Sequence, residues 1–327
     1  MTQTWCRLRA KLAAAQRDLR LARTWMCLGA VRIPTEQMTP ILPPGRLMVL
    51  PGRGTTFVRV MQGPAGSLPV MLLHGWTLTA DLNFHAVYDV LSREHTVIAL
   101  DCRSHGRGIR APGGFRVQDS VDDAIAVLDQ LDVPQAIICG YSLGGVTAIA
   151  TALRHPDRVA AVVPQACALR YKSGRREVAV FHLLRILRPL ARLGIGATLS
   201  ARMWVDTAQR NPHVAAQWLW LREELALMNP YDMTDVLTDV FRQDLAAELA
   251  AGGLDVPAAF VVLNRDRLCR PSLQRRAAEA INARTFTIDA DHDVPVCQPD
   301  IYAAVTAQAV AHARSLASRK SGPSLGA

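Results

Sequence analysis

The sequence predicts an α/β fold: a mostly parallel sheet of about eight strands with helices on both faces and an inserted helical cap. Three observations predict it. Short apolar runs alternate with helix-compatible runs along most of the chain, the pattern of strands buried on both faces and joined by crossover helices. One of these runs, Ala136-Ile137-Ile138-Cys139, enters a glycine-rich turn and leaves it as a helical stretch beginning near Val146. Between Ala168 and Leu249 the strand signals stop, and helical character broken by Gly194, Gly196, Pro212 and Pro230 intervenes before strands resume.

A chain of 327 residues, half of them apolar, is long enough for one large α/β domain or a core with an insertion, which excludes general disorder. The net charge of +9 raises the question of nucleic acid. No zinc-finger spacing, helix-turn-helix signature or aromatic RNP-like run accompanies it, so the charge is read as solubility or attraction to anionic surfaces and no nucleic-acid partner is expected. The seven cysteines are odd in number, scattered and without metal-site spacing, which fits a reduced, cytoplasmic setting. His105, His155 and His182 lack the spacing of a metal site. Gly194-Ile195-Gly196 lacks the third glycine and the strand-to-helix context of a dinucleotide loop, and no Walker motif exists. Neither a metal nor an organic cofactor is expected.

Residues 1–45 read as a basic amphipathic helix and a linker. Trp5, Leu8, Leu12, Ala15, Leu19, Ala22 and Met26 recur at steps of three and four, while Arg7, Arg9, Lys11, Arg17, Arg20 and Arg23 interrupt them too often for a membrane span or a secretory h-region. That pattern fits either an arm packed on its own domain or a partner, or peripheral contact with an anionic membrane surface. Pro34, Pro40, Pro43 and Pro44 then form an irregular stretch ending near Gly45. Strands are expected at Leu47–Leu50, Thr56–Met61, Val70–Leu73, Val97–Leu100, Ala136–Cys139, Val159–Val163, Ala259–Leu263 and Thr285–Ile288, with helices at Val117–Leu131 and Val146–Arg154. The first part of the core thus covers 46–167, the cap 168–249 and the second part 250–316, followed by a disordered tail at 317–327.

The turn Gly140-Tyr141-Ser142-Leu143-Gly144 carries the chemistry. A serine hydroxyl is a usable nucleophile only if its Oγ stands clear of the backbone, which a sharp strand-to-helix turn achieves when its neighbours lack a Cβ. The helix that follows aims free N–H groups at the same point, so the Leu143 N–H is placed to donate to an oxyanion formed when Ser142 attacks a carbonyl. Cys139, inside the entering strand, reads as a buried small hydrophobe.

His74-Gly75-Trp76 ends the third strand, and Asp101-Cys102-Arg103-Ser104-His105-Gly106-Arg107-Gly108 ends the fourth. With the Gly-x-Ser-x-Gly turn, these segments resemble the α/β-hydrolase superfamily in its capped branch, over roughly Leu47 to Leu316 without the variable cap. The resemblance implies that Trp76 and Leu143 supply the two backbone N–H groups of an oxyanion hole. It also implies the order nucleophile, acid, histidine. Asn264-Arg265-Asp266-Arg267 follows a strand and matches the family's acid loop at Asp266; Asp289-Ala290-Asp291-His292-Asp293 follows the last strand and matches its histidine loop at His292. Ser104 stands where the family commonly has glycine, and so does Asp291. Asp291 and Asp293 are rival acids by nearness, and Asp266 has as its bland alternative a surface carboxylate paired with Arg265 or Arg267. No carboxylate follows the sixth strand, where the family has its other acid position.

The resemblance implies a serine hydrolase that cleaves a small or acyl-chain ester through Ser142, His292 and Asp266. Acyl transfer, lyase or cofactor-free perhydrolase chemistry on the same triad, and a non-catalytic binding module, are the alternatives. In the cap, Phe181, Leu183, Leu184, Leu187, Leu190, Trp204, Trp218, Trp220 and Tyr231 either line an apolar acyl pocket or form helical core stripes.

Overall fold

The computed structural model describes residues 34, 36–110, 114–172, 174, 175, 178, 179, 182, 183, 186 and 195–320. The expected amino-terminal helix, the end of the chain from 321, and Phe181, Leu184, Leu187 and Leu190 lie outside these. Each apolar run read from the sequence is a strand: β1 (Gly45–Leu50), β2 (Gly54–Met61), β3 (Val70–Leu73), β4 (Val97–Leu100), β5 (Ala136–Tyr141), β6 (Val159–Gln165), β7 (Ala259–Leu263) and β8 (Arg284–Ile288). They form one sheet in the order β1-β2-β4-β3-β5-β6-β7-β8. β2 runs antiparallel to β1 and β4, and all later pairs are parallel. β5 and β6 run two residues past the expected ends and carry the sheet up to the serine turn.

The helices are α1 (Ala80–Phe84), α2 (Val87–Ser92), α3 (Val117–Gln130), α4 (Leu143–Arg154), α5 (Ile195–Arg210), α6 (Pro212–Ala216), α7 (Trp218–Ala226), α8 (Pro230–Val240), α9 (Leu245–Gly252), α10 (Pro271–Ala280), α11 (Val294–Cys297) and α12 (Pro299–Lys320). Strand side chains alternate between the two faces, as a period of two requires. Met71, Leu73, Ile98, Leu100 and Ile138 join Val121 and Val127 of α3 and Val146 and Ile149 of α4. Val70, Leu72, Val97, Ala99 and Ile137 join Phe84, Leu91, Tyr302 and Val310 on the other face. Both faces are therefore dry, which explains why the strands read as unbroken apolar runs. Truncating one such side chain, as in Leu72→Ala, costs about 2 to 5 kcal/mol.

Helices α5–α9 all lie between β6 and β7. Part of their attachment to the core is apolar: Trp204, Val214, Trp218, Trp220 and Leu221 pack with Leu78, Leu82 and Val296. Among the described residues no helix is long and apolar enough to cross a membrane.

His85, just past α1, sets its ring edge-on to Trp220 at 5.2 Å between centroids. Neither ring nitrogen finds a hydrogen-bond partner among the described residues. Burial, with the nearby His213 adding to it, pushes this histidine from 6.5 down to about 4. As pH falls from 6.5 toward 4, the unfolded chain takes up a proton there that the folded chain refuses, so stability is lost across that window. The expected loss between pH 7 and pH 5 is about 2 kcal/mol. Urea unfolding at the two values should show His85→Phe with that part of the slope gone; a slope equal to the parent's would place its source elsewhere.

Candidate active site

All the residues singled out by motif sit at the carboxyl edge of the parallel strands, the edge at which open α/β sheets bind ligands. Ser142 follows β5 with φ 52° and ψ −109°, a backbone conformation that a side-chain-bearing residue holds only under constraint. Two close approaches supply the constraint. A Cβ on Gly140 would lie 2.0 Å from the Gly144 carbonyl oxygen, and one on Gly144 would lie 1.8 Å from that of Leu73, so β3, β5 and α4 meet here as bare backbone. The Ser142 N–H donates to the Gln165 carbonyl of β6 at 2.8 Å, which fixes the turn from the other side.

The structure brings Ser142, His292 and Asp266 together from three strand ends. Ser142 Oγ lies 2.9 Å from His292 Nε2, and His292 Nδ1 lies 2.7 Å from Asp266 Oδ2. The carboxylate is an acceptor, so Nδ1 carries the ring proton and Nε2 is left to accept from the serine hydroxyl. Asp266 is buried with every lone pair engaged. Oδ1 accepts the N–H groups of Leu268 and Cys269 at 2.8 and 2.7 Å, and Oδ2 accepts Gln274 Nε2 at 2.8 Å beside the imidazole. Gln274 is itself fixed, taking the Leu263 N–H on its Oε1 at 2.9 Å and donating to the Cys269 carbonyl at 2.6 Å. From behind, the Tyr141 hydroxyl donates to the His292 carbonyl at 2.7 Å.

Neither rival acid meets the imidazole Nδ1, whose partner is Asp266. Asp291 Oδ1 takes the N–H groups of Arg267 and His292 at 3.0 and 2.8 Å, and Oδ2 takes Arg267 Nε at 2.5 Å. Burial works to raise its carboxyl, but these donors outweigh burial and hold it below the usual value. Asp293 stands at the N-cap of α11. Arg265 is engaged by Asp289, so neither neighbouring arginine is available to Asp266. At the end of β6, where the sequence has no carboxylate, the Gln165 amide bonds Thr306 and the Tyr302 hydroxyl.

The segments carrying the oxyanion candidates lie beside Ser142. Leu143 opens α4, where its N–H has no intrahelical acceptor. A Cβ built on Gly75 would lie 3.5 Å from Ser142 Cβ, so the loop carrying Trp76 passes directly over the serine. His74 shapes this loop: Nε2 accepts the Cys102 N–H at 2.9 Å, which leaves the proton on Nδ1, 2.8 Å from the Gly75 carbonyl. Burial keeps it below the ordinary histidine value, hence neutral. Ser104 adopts φ 67°, so this position is left-handed without the family's glycine. Cys139 is fully buried, and burial pushes its thiol up to about 12.

Trp204, Trp218 and Trp220 are buried, at 4%, 0% and 7% exposure, in the contact between the insertion and the core. Beside the histidine loop lies an open cavity of about 570 Å³ with a charged lining of Arg202, Asp206, Arg210, Arg267 and Asp293. Sequence reading missed Gln274, Tyr141, Asn83, Thr79 and Glu224. Asn83 accepts the Gly75 N–H of the loop over Ser142, and Glu224 accepts the Thr79 hydroxyl, contacts that no local sequence signal marks. Among the described residues no group of histidines, cysteines and carboxylates is arranged to hold a metal ion.

Residues 69–185 match the family model described as alpha/beta hydrolase fold. A protein of Mycobacterium phage D29, provisionally named a non-heme haloperoxidase, is 26% identical over 254 residues, which cover 74% of this chain and 87% of that protein. The 2-hydroxymuconate semialdehyde hydrolase of a Pseudomonas species is 39% identical over 98 residues, 29% of this chain and 35% of that protein's length. Among solved structures, the enol-lactonase from Burkholderia xenovorans superposes with a TM-score of 0.69 and 22% identity, over 81% of this chain and 100% of that one. With its sheet order, its serine turn and the family match across β3 to β6, the chain has the α/β-hydrolase fold.

Proposed function

We propose that the protein is a serine hydrolase that cleaves a small carboxylic ester. The observation that carries this reading is the continuous hydrogen-bonded chain from Ser142 through His292 to Asp266, at 2.9 and 2.7 Å, beneath the loop that passes over the serine at Gly75. His292 Nε2 takes the serine proton as Oγ attacks the ester carbonyl, and Asp266 holds the imidazolium that forms. The N–H groups of Trp76 and Leu143 hold the oxyanion, fixed before the charge appears. His292 then returns the proton to the leaving alkoxide, leaving an acyl-Ser142. Water, deprotonated by the same histidine, attacks that acyl group and releases the acid and the free hydroxyl.

A small substrate is favoured because the tryptophans expected to line an acyl pocket are packed into the attachment of the insertion. The test is turnover of p-nitrophenyl esters from acetate to dodecanoate. Acetate or butyrate should be preferred over dodecanoate in kcat/KM by roughly tenfold or more. The haloperoxidase name of the phage relative favours a second reading, in which hydrogen peroxide replaces water in deacylation and the product is a peracid. Product analysis with peroxide and alcohols as competing acceptors separates the two. Covalent labelling without any ester turnover would overturn the hydrolase reading.

A further inference from the structure

We propose that Glu224 is a positioning residue for the loop over Ser142: from α7 it holds Thr79 and Arg107, and so fixes the Trp76 N–H. The inference rests on the hydrolase reading above. Glu224 is buried on α7, and a buried carboxylate is costly unless partnered. Its partners all lie in the core. Oε2 accepts the Thr79 hydroxyl at 2.5 Å, and the two oxygens meet Arg107 Nη1 and Nη2 at 3.2 Å each. Thr79 Oγ1 already accepts the Leu82 N–H at 3.1 Å, so its own proton is committed to Glu224.

Thr79 is the N-cap of α1, and α1 carries Asn83, whose Oδ1 accepts the Gly75 N–H at 2.9 Å. Between these fixed points stand Trp76 and Thr77, the latter at φ 62°, a conformation retained only while both ends of the loop are held. The Trp76 indole N–H also donates to the Met233 carbonyl of α8 at 2.9 Å. On the far side, Arg107 Nε binds Asp101 Oδ2 at 2.8 Å, and Asp101 Oδ1 accepts the Ala80 N–H at 2.9 Å. The loop is thus gripped at Gly75 and Ala80 by the core, and at Trp76 and Thr79 by the insertion. The insertion is in this way a working part of the oxyanion hole.

The test compares Glu224→Ala and Glu224→Gln with Arg154→Ala. The last breaks another insertion-to-core ion pair, Arg154 with Glu248 at 2.9 Å, at the end of α4 away from Ser142. In Glu224→Ala, kcat for p-nitrophenyl acetate and the rate of fluorophosphonate labelling should both fall about ten- to a hundredfold, with KM within about threefold. Glu224→Gln keeps an amide oxygen for Thr79 and should recover to within about fivefold of the parent, and Arg154→Ala should stay within about twofold. Equal rates in Glu224→Ala and Arg154→Ala, or no recovery in Glu224→Gln, would overturn the proposal while leaving the hydrolase reading intact. A parent that takes no label overturns both. Should Glu224→Ala not fold, Glu224→Asp decides, since it keeps the charge and draws the carboxylate back from Thr79 and Arg107. A fall in kcat at constant KM supports the grip on the loop, and parent rates reject it.

Discussion

Ser142→Ala abolishes fluorophosphonate labelling and lowers kcat by a factor on the order of 10⁴ to 10⁶, with the fold unchanged. The size of the loss follows from the geometry. The hydroxyl is the one group presented to His292 Nε2 at 2.9 Å by a turn that holds φ at 52°. Alanine has the same backbone demand and no nucleophile, so the oxyanion donors and the histidine remain with nothing to activate. Circular dichroism and thermal unfolding should match the parent, because the side chain removed is small and its hydroxyl bonds only His292 among the described residues. Labelling and ester turnover by the alanine variant at the parent rate would remove Ser142 from its role.

Asp266→Asn costs roughly 10⁴ in kcat, the magnitude known for a triad whose imidazole is held in the wrong tautomer. Leu268 and Cys269 both direct N–H groups at Oδ1, so an asparagine keeps its carbonyl oxygen there and turns its NH₂ toward His292 and Gln274. A donor then faces Nδ1. The imidazole must carry its proton on Nε2, where it can no longer accept one from Ser142. Gln274 Nε2 loses an acceptor but keeps the Cys269 carbonyl, so the loss of stability should be modest beside the loss of rate. The paired measurement is Asp291→Asn, which breaks an exposed pair with Arg267 and should retain near-parent kcat. A normal rate in Asp266→Asn with collapse in Asp291→Asn would reverse the assignment of the acid.

What could be read from the sequence depended on what physics makes local. Strands buried on both faces have no polar side to confuse their limits, so Val70–Leu73 and Ala259–Leu263 were legible to the residue. Ser142 and His292 were legible because chemistry fixes their neighbours. Asp266 was legible by order along the chain, yet what fixes it was not: Gln274 enters α10 as one polar residue among several, and its contact with the Leu263 N–H exists only after α10 folds back on β7. The tryptophans show the same limit. A period of 3.6 marks Trp218 and Leu221 as one apolar face without saying whether a ligand or the core covers it, and here Leu78, Leu82 and Val296 do. Glu224 on that same helix reads as a solvated charge until Thr79 and Arg107 stand opposite it.

The sheet closes around a long excursion: β6 and β7 are neighbours, with Gln165 beside Val261, although the whole insertion separates them in the chain. During synthesis the amino-terminal half, with Ser142 on β5, leaves the ribosome well before β7 and β8 exist, and pairings of such high sequence separation are the slow ones in folding. On the proposed mechanism the serine would lack its base until that late pairing is made, so the appearance of labelling would report completion of the last parallel pairings rather than collapse of the domain.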